Sequence, residues 1–259
     1  MLRAPHRPPK SLLVPALLLM AALVGVPAGA RAEPAGCSAP PEAMESGALP
    51  GALAAINRGS LRVLVIGSAS TQSGGTTTTA ATWPERLDKV LGARLAPATV
   101  QVSIFGRRGT TAADHARIIA EQAPRLRPHL IVWQLGTVEA ARGLSPEEMV
   151  EAVQDAIGRL RDARGERTDV VLMDPQFSRF FRANADVETY RDKLRVAAAA
   201  SGAQVFSRWT VMKHWAETER LDLERAPRAT RAATADELHD CLARTLTEFI
   251  LAGVRYGQR

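Results

Sequence analysis

Four short polar segments of the chain carry side chains that could take part in nucleophilic catalysis, and three of them directly follow predicted strands. These segments are Gly67-Ser68-Ala69-Ser70-Thr71, Gly106-Arg107-Arg108-Gly109-Thr110, Gly136-Thr137-Val138-Glu139 and Asp236-Glu237-Leu238-His239. Serine and threonine hydroxyls can serve as nucleophiles, an imidazole as a base, and a carboxylate can orient that base. The two cysteines and five histidines form no cluster with the spacing of a zinc site. We therefore expect chemistry by protein side chains, with no metal and no other cofactor.

The elements that must position these segments alternate regularly from Leu61 to the end of the chain. Apolar runs predict five strands, at Leu61–Ile66, Val100–Phe105, His129–Leu135, Asp169–Met173 and Ala203–Phe206. Amphipathic stretches predict helices, at Trp83–Leu95, Thr111–Arg125, a segment opened by Ser145-Pro146-Glu147-Glu148, Ala185–Ala200, and Thr234 to about Tyr256. Strands that are apolar throughout and are each followed by a helix are typical of a parallel sheet covered on both faces.

This alternation predicts an α/β fold, a single doubly wound parallel sheet in a flavodoxin-like three-layer sandwich with strand order 2-1-3-4-5. Ligands of such sheets bind beyond the carboxyl ends of the strands, near the point where the strand order reverses. The candidate site is therefore expected on the loops after Ile66, Phe105, Leu135 and Met173.

The first 32 residues are typical of an export signal. They contain a basic start, an apolar run and small residues at a cleavage site, namely Arg3, His6, Arg7 and Lys10, then Leu12–Val26, then Ala30-Arg31-Ala32. The apolar run is shorter than the roughly 20 residues of a spanning helix. We expect cleavage after Ala32, a periplasmic or secreted protein, and no stable membrane span. An uncleaved anchor and a lipoprotein modified at Cys37 are the alternatives.

The net charge limits the classes of partner, and the cysteines bear on the redox state of the compartment. The formal charge of +6 falls to +2 without residues 1–32, because they hold four basic residues and no acid. No electrostatic argument for nucleic-acid binding remains. Residues 33–60 are expected to be an arm or linker, with a short helix around Gly51–Asn57, before a domain at 61–259. Cys37 and Cys241 either form a disulfide, as an exported protein allows, or remain two free thiols.

The order and spacing of the four polar segments resemble those of the SGNH (GDSL-like) hydrolases, from about Leu61 to the C-terminus. The strings VWQLGT and VVLMDPQ and the Asp-x-x-His near the end strengthen the resemblance. It implies an ester hydrolase whose nucleophile is the serine of a Gly-Asp-Ser turn after the first strand. It also implies an oxyanion hole made by that residue's N–H, a glycine of the second segment and an asparagine of the third. The histidine of Asp-x-x-His would be the general base, oriented by the aspartate.

Two positions of this sequence depart from the SGNH pattern. Ala69 stands where the nucleophilic serine is expected, and Val138 stands where the asparagine is expected. Loss of a nucleophilic serine costs on the order of 10⁶ in kcat, and loss of an oxyanion donor costs about 10²–10³. The residues that match the pattern are Asp236, His239, Gly109, Gly136 and Thr137.

The resemblance implies the following candidate roles. Ser70 is the preferred replacement nucleophile and Ser68 the second choice, with His239 as base and Asp236 as the group that orients it. The oxyanion hole would use Gly109 and the N–H of Ala69, and the remaining candidate pocket residues are Ser68, Thr71, Gly136, Thr137, Val138 and Arg108.

Other interpretations of these residues stay open. The hydroxyls could bind only the turn backbone, and Asp236 could belong to a capping box that starts a helix at Thr234. Arg107 and Arg108 could hold an anionic ligand or be solvated. We expect Glu139 to pair with Arg142, with an acid in the pocket as the alternative. Two histidines outside the motif, His115 and His214, are expected to be surface or packing residues.

Two functions remain open from the sequence. The first is an exported SGNH-type hydrolase that acts on an acyl or O-acetyl ester of an envelope glycan or lipid. The second is a catalytically inactive relative that binds a glycan, a lipid or a protein in the same pocket.

Overall fold

The structure is a computed structural model that describes residues 1, 37–162, 167–218 and 220–257. The chain separates into two units, Met1–Ala32 and Glu33–Arg259, and the fold described here is that of the second. Apart from Met1, the predicted export signal lies outside the described residues. Within those residues, no helix combines the length and the apolar character needed to cross a membrane.

A parallel sheet of five strands forms the centre of the domain. The strands are β1 (Ser60–Gly67), β2 (Thr99–Gly106), β3 (Leu130–Gln134), β4 (Asp169–Met173) and β5 (Gln204–Phe206). Their order is β2-β1-β3-β4-β5, and every neighbouring pair is parallel. This confirms the predicted strand order. All residues of β3 and β4 are buried, because helices cover both faces of the sheet.

Ten α-helices are assigned among the described residues. They are α1 (Pro50–Asn57), α2 (Ala69–Gln72), α3 (Trp83–Leu95), α4 (Ala112–Leu126), α5 (Thr137–Arg142), α6 (Pro146–Asp162), α7 (Arg179–Asn184), α8 (Val187–Ser201), α9 (Arg208–Glu217) and α10 (Arg231–Tyr256). The core lies between these helices and the sheet, and its largest fully buried side chains are those of Trp83, Trp133 and Trp215.

The last helix begins earlier than the sequence predicts. Thr230 is the N-cap of α10, and the side-chain hydroxyl of Thr234 donates to the Thr230 carbonyl inside the helix. The alternative of a capping box at Thr234 is therefore wrong. Because α10 already starts at Arg231, Asp236 and His239 both lie within the helix, three residues apart.

The segment before β1 is fastened to the domain. Cys37 and Cys241 form a disulfide with an S–S distance of 2.02 Å, which resolves the alternative left open by the sequence. The helix expected around Gly51–Asn57 is α1, whose Ala52 N–H donates to the Asp169 carboxylate. The N–H of Leu49 donates to the Gly253 carbonyl of α10. Residues 37–59 therefore pack against both the sheet and the last helix.

Candidate active site

The turn after β1 is built by close backbone approach. A Cβ on Gly67 would lie 2.2 Å from the Thr71 hydroxyl oxygen, so only glycine lets α2 fold back onto the strand end. A Cβ on Gly106, at the end of β2, would lie 3.0 Å from the backbone nitrogen of Gln72. The short helix α2 therefore sits directly on the carboxyl ends of β1 and β2, where the sequence places the candidate nucleophiles.

Ser70 is hydrogen-bonded on both sides of its hydroxyl. Its Oγ donates to Oε1 of Gln134 at 2.7 Å, and it accepts from Nη1 of Arg208 at 3.1 Å. The Thr71 hydroxyl donates to the same Gln134 oxygen at 2.9 Å. The proton of Ser70 thus points at an amide oxygen, which is not basic enough to remove it.

Ser68 accepts the backbone N–H of Gly109, the group that is expected to stabilise an oxyanion. The Gly109 N–H donates to the Ser68 Oγ at 3.2 Å, and Ser68 is buried. Gly109 has a φ of +79°, a conformation that favours glycine and that aims this N–H toward the turn after β1. The structure therefore brings Ser68 and Gly109 together, but the Gly109 N–H is bonded to Ser68 and not directed at a ligand.

His239 has the wrong tautomer for the base of a triad. Its Nδ1 accepts a hydrogen bond from the backbone N–H of Trp83 at 2.9 Å. Because a backbone N–H can only donate, the neutral ring carries its proton on Nε2. Nε2 then has no lone pair with which to accept the proton of a nucleophile. Burial, together with the charges of Arg208 and Arg86, lowers the pKa of His239 to about 4.

The Asp236 carboxylate is bonded to Thr77 and not to His239. It accepts from the Thr77 backbone N–H at 2.8 Å and from the Thr77 hydroxyl at 2.5 Å. It therefore fastens the loop after α2 to α10, and it makes no hydrogen bond to His239. The Asp–His pairing implied by the SGNH resemblance is absent from the described residues, because the Trp83 N–H takes its place.

The loop after α2 nevertheless brings Ser70 and His239 close together. A Cβ on Gly74 would lie 2.6 Å from Nε2 of His239 and 3.1 Å from the Cα of Ser70. These two atoms are therefore less than 6 Å apart. Gly74 has a φ of +56°, and its missing side chain lets the loop cross over the imidazole.

The third polar segment starts a short helix. Thr137 is the first residue of α5, and its hydroxyl oxygen accepts from Nη2 of Arg208 at 3.3 Å and from the Gln176 N–H at 3.1 Å. Gly136 has a φ of +85°, and a Cβ there would lie 2.9 Å from the Pro175 ring. Val138 is partly exposed at the position expected for asparagine. Its side chain is a hydrocarbon, so it offers no hydrogen-bond donor.

Glu139 has a different role from the one the sequence predicts. Its buried carboxylate accepts from the Ala112 N–H at 2.6 Å and from the Gly136 N–H at 3.0 Å. The expected ion pair with Arg142 is wrong, since these two backbone donors hold the carboxylate at the start of α4. Burial raises the pKa of Glu139, although both backbone hydrogen bonds and the Arg142 charge oppose that rise.

Sequence analysis missed Arg208, the buried cation of the site. Arg208 is 1% exposed, and burial lowers its pKa to about 10. Its two Nη atoms donate to Ser70 and Thr137, while its Nε has no partner in the described part of the chain. Asp174 opposes the fall in pKa, but the Asp174 carboxylate is hydrogen-bonded by Arg191, Ser207 and the Trp209 N–H.

His115, by contrast, is a packing residue, as expected, and it is not at the surface. Its Nδ1 accepts from the Trp133 indole N–H at 3.0 Å, and its Nε2 lies 2.8 Å from the Thr110 hydroxyl. The same Thr110 hydroxyl donates to the Arg107 carbonyl at 2.6 Å. His115 thus fixes the turn that carries Gly109. Arg107 and Arg108 are exposed.

Comparison with known proteins decides the family. The model of the Non-GDSL lipase-like family matches residues 36–256, most of the chain. The chain belongs to the Non-GDSL lipase-like family. No curated protein matches its sequence significantly.

Solved structures that are similar to this chain include esterases and another hydrolase. A two-domain esterase active on acetylated mannans has a TM-score of 0.65 and 13% identity, covering 82% of this chain and 55% of its own. A catalytic mutant of an acetylxylan esterase from Geobacillus stearothermophilus has a TM-score of 0.60 and 16% identity, covering 73% and 94%. An α/β hydrolase from the metagenome of Lake Arreo, Spain, has a TM-score of 0.57 and 17% identity, and the match covers 76% of this chain and 95% of the hydrolase.

These matches confirm the resemblance to SGNH hydrolases and the predicted fold. At such low identities they show the fold alone, so the roles of Ser70, His239 and Asp236 in this Non-GDSL lipase-like protein remain predictions. Among the residues that the structure describes, no group of His, Cys, Asp and Glu could hold a metal ion. The one sequence signal for Arg208 is its place two residues after the end of β5, at the same sheet edge as the other polar segments.

Proposed function

We propose that this protein is an exported member of the cell envelope that binds an acyl or O-acetyl ester at the carboxyl end of its sheet without hydrolysing it. The observation that carries this proposal is the hydrogen bond from the Trp83 N–H to Nδ1 of His239. It leaves Nε2 protonated, so the residue that should be the general base is a hydrogen-bond donor.

Three further features support binding rather than hydrolysis. Ala69 replaces the nucleophile, Val138 replaces an oxyanion donor, and the Gly109 N–H is already bonded to Ser68. Each missing donor costs about 10²–10³ in rate, and a missing nucleophile costs on the order of 10⁶. Ala69, Ser70, Thr137 and Val138 are partly exposed, so a ligand can still reach the edge where this fold binds its ligands.

Export is supported by two independent features. The first 32 residues have the pattern of a signal peptide. The Cys37–Cys241 disulfide requires an oxidising compartment to persist. Intact-mass analysis of the exported fraction tests this part, and we expect a chain that begins at Glu33. A chain that begins at Met1, or a lipid on Cys37, contradicts it.

Turnover of p-nitrophenyl acetate tests the loss of hydrolysis. We expect the wild-type protein to stay at the background rate. The Ala69→Ser/Val138→Asn variant restores the two side chains that the SGNH pattern requires, and we expect it to stay there as well, because neither change frees a lone pair on Nε2 of His239. Substantial turnover by the wild type, or by that variant with a folded protein confirmed by circular dichroism, overturns the proposal.

Titration calorimetry tests the binding that remains. The probe is an O-acetylated xylo-oligosaccharide, and the same oligosaccharide after deacetylation is its control. We expect binding of the acetylated probe only. The Ala69→Phe variant, which fills the partly exposed position at the start of α2, should abolish that binding. Equal binding of both probes, or of neither, contradicts ester recognition.

Ester hydrolysis with Ser70 as nucleophile is the second candidate, and one contact favours it. The Arg208 guanidinium lies 3.1 Å from the Ser70 Oγ, and a cation at that distance stabilises an alkoxide. If the wild type does turn over p-nitrophenyl acetate, this candidate predicts loss of turnover in Ser70→Ala. The matched Ser68→Ala variant should retain turnover, and the second candidate is wrong if both variants do.

A further inference from the structure

The hydroxyl of Thr137, at the carboxyl end of the sheet, has a proton that is free to donate. Its oxygen accepts two hydrogen bonds, from Nη2 of Arg208 at 3.3 Å and from the Gln176 N–H at 3.1 Å. A hydroxyl oxygen has two lone pairs, so both acceptor positions are filled and the proton remains for another partner. Within the described part of the chain, Thr137 makes no hydrogen bond in which this proton is donated.

Ser70 differs from Thr137 in this respect, although the same guanidinium bonds both hydroxyls. The Ser70 Oγ accepts from Nη1 of Arg208, and its proton is donated to Oε1 of Gln134 at 2.7 Å. A ligand could use the Ser70 proton only by breaking that bond. The Thr137 proton is open to a ligand without such a loss.

The other groups that could donate to a ligand at this edge are bonded, missing or covered. The Gly109 N–H is already bonded inside the protein, and Val138 has a hydrocarbon side chain. Nε2 of His239 carries a proton, but a Cβ on Gly74 would lie 2.6 Å from it, so the loop packs against that nitrogen. His239 is buried, whereas Thr137 is partly exposed. Of these groups, Thr137 is the donor that a ligand can reach.

Arg208 makes the Thr137 hydroxyl a stronger donor. The Arg208 side chain is 1% exposed, so the guanidinium itself is closed to a ligand. Burial lowers the pKa of Arg208 to about 10, which still leaves it charged at neutral pH. A hydroxyl that accepts from a cation donates its own proton more strongly, because successive hydrogen bonds polarise one another. Arg208 therefore acts on a ligand through Thr137.

The carboxylates near this edge do not take the Thr137 proton. Asp174 is paired with Arg191, and Glu139 accepts from two backbone N–H groups. Among the described residues, neither carboxylate is hydrogen-bonded to Thr137 or Arg208. These acids reduce the net charge of the edge, but they leave the direct Arg208–Thr137 hydrogen bond in place.

A carbonyl oxygen is the part of an acyl group that fits such a donor. The oxygens of an ester only accept hydrogen bonds, and the carbonyl oxygen is the better acceptor of the two. Thr137 directly precedes Val138, which stands where the SGNH pattern places the asparagine that donates to that same oxygen. The free hydroxyl is thus the chain neighbour of the donor that this protein lacks.

We propose that the Thr137 hydroxyl donates to the acyl carbonyl oxygen of the bound ligand, with Arg208 as the positioning residue that orients the hydroxyl. This assignment rests on the proposed function, since it names the residue that recognises the ester at the same site. It implies that the site selects the carbonyl oxygen and not merely the size of the acyl group.

Two probes that differ at the carbonyl test the assignment. One is an O-acetylated xylo-oligosaccharide, and the other is its O-ethylated counterpart, which keeps the two carbons and lacks the carbonyl oxygen. Titration calorimetry should give about tenfold tighter binding of the acetylated probe by the wild type. Thr137→Val, which removes the hydroxyl and keeps the shape, should bind both probes equally. Thr137→Ser, which keeps the hydroxyl, should restore the preference.

A matched control separates this effect from a general loss of structure. The Thr168 hydroxyl donates to the Pro128 carbonyl, at the opposite end of the sheet. Thr168→Val also removes one threonine hydroxyl, and it should keep the preference for the acetylated probe. A role of Thr137 in stability alone would weaken the binding of both probes together and leave their ratio unchanged.

Infrared spectroscopy of the bound probe measures the hydrogen bond itself. With a carbon-13 label in the acetyl carbonyl, we expect a lower stretching frequency in the wild type and Thr137→Ser than in Thr137→Val. Arg208→Gln removes the charge behind the hydroxyl and should give an intermediate frequency. Circular dichroism confirms that each variant is folded, and the Thr137 variants decide the assignment if Arg208→Gln does not fold.

The outcomes distinguish this assignment from the proposed function. If the wild type binds the acetylated probe and Thr137→Val changes neither the preference nor the carbonyl frequency, Thr137 is not the donor, while ester binding stands. If Arg208→Gln folds and leaves the frequency unchanged, Arg208 does not position the hydroxyl. If the wild type binds both probes equally, the carbonyl is not recognised and the assignment is wrong. If it binds neither, the proposed function fails and the assignment fails with it.

Discussion

Two buried histidines, His115 on α4 and His239 on α10, are held in the same protonation state by different neighbours. In both, Nδ1 accepts from an N–H group, the Trp133 indole for His115 and the Trp83 backbone for His239. Burial lowers the pKa of each to about 4. Sequence alone assigns them opposite roles, packing for His115 and catalysis for His239.

The two sites differ at the other ring nitrogen. Nε2 of His115 is bonded to the Thr110 hydroxyl, which closes that site inside the protein. Nε2 of His239 faces Gly74, and no hydrogen bond to it is formed by the described residues. The comparison teaches that an Asp-x-x-His motif does not make a base by itself. The group that bonds Nδ1 decides which nitrogen can take a proton.

Removing the disulfide should have the largest effect of these changes, and it should affect the His239 site more than the His115 site. Cys241 lies two residues beyond His239, whereas α4 carries no cross-link. The Cys37→Ser/Cys241→Ser variant should lose about 5 kcal/mol of unfolding free energy in the chain-entropy model for so long a loop. Urea denaturation measures the loss. NMR should show a larger shift change for the His239 ring than for the His115 ring, and equal changes would contradict this difference.

Acid should destabilise the protein through both rings alike. Each histidine has a folded pKa of about 4, against 6.5 in the unfolded chain, so the folded state favours the neutral ring. The associated stability is present above pH 6.5 and is lost as the pH falls toward 4. It amounts to about 3 kcal/mol per histidine. Burial raises the pKa of Glu139, which acts in the opposite direction at low pH.

Urea denaturation between pH 7 and pH 4 measures this loss, with His115→Gln and His239→Gln as matched variants. Each substitution should flatten the pH dependence by a similar amount. A variant that leaves the slope unchanged would show that its histidine is not held neutral.

At neutral pH, replacing each histidine by leucine should lower the free energy of unfolding by different amounts at the two sites. His115→Leu should destabilise by about 2–3 kcal/mol, because it leaves the buried Trp133 indole N–H unpaired and breaks the Thr110 bond. His239→Leu should cost about 1–2 kcal/mol, because only the Trp83 N–H loses a partner. Thermal and urea unfolding give both values. The reverse order would mean that His239 makes contacts beyond the Trp83 bond.

The smallest expected effect is that of Asp236. Asp236→Asn should change stability by less than about 1 kcal/mol, because its bonds to Thr77 are exposed to solvent. Nitrogen-15 NMR should identify Nδ1 of His239 as the unprotonated nitrogen in both the wild type and the variant. A tautomer that switches on this substitution would restore Asp236 as the orienting residue of a triad.

The strands, their parallel order and the bounds of α3 follow from local patterns, because apolar runs and helix periodicity are properties of neighbouring residues. The sequence also places the polar segments at one edge of the sheet, since parallel strands end together. The sequence pattern places the start of α10 too late, because Thr234 fits a capping box as well as a helix interior.

The chemistry of the site was decided by contacts between distant parts of the chain. The Trp83–His239 bond spans 156 residues, the Thr77–Asp236 bond spans 159, and the Arg208–Ser70 bond spans 138. No local pattern indicates which backbone N–H will meet a given imidazole nitrogen. The residue types at this edge are written in the sequence, but the tautomer of His239 and the burial of Arg208 depend on how helices from opposite ends of the chain pack. The side chains and backbone groups that pack around His239 and Arg208 decide which nitrogen of His239 carries the proton and how far Arg208 is desolvated.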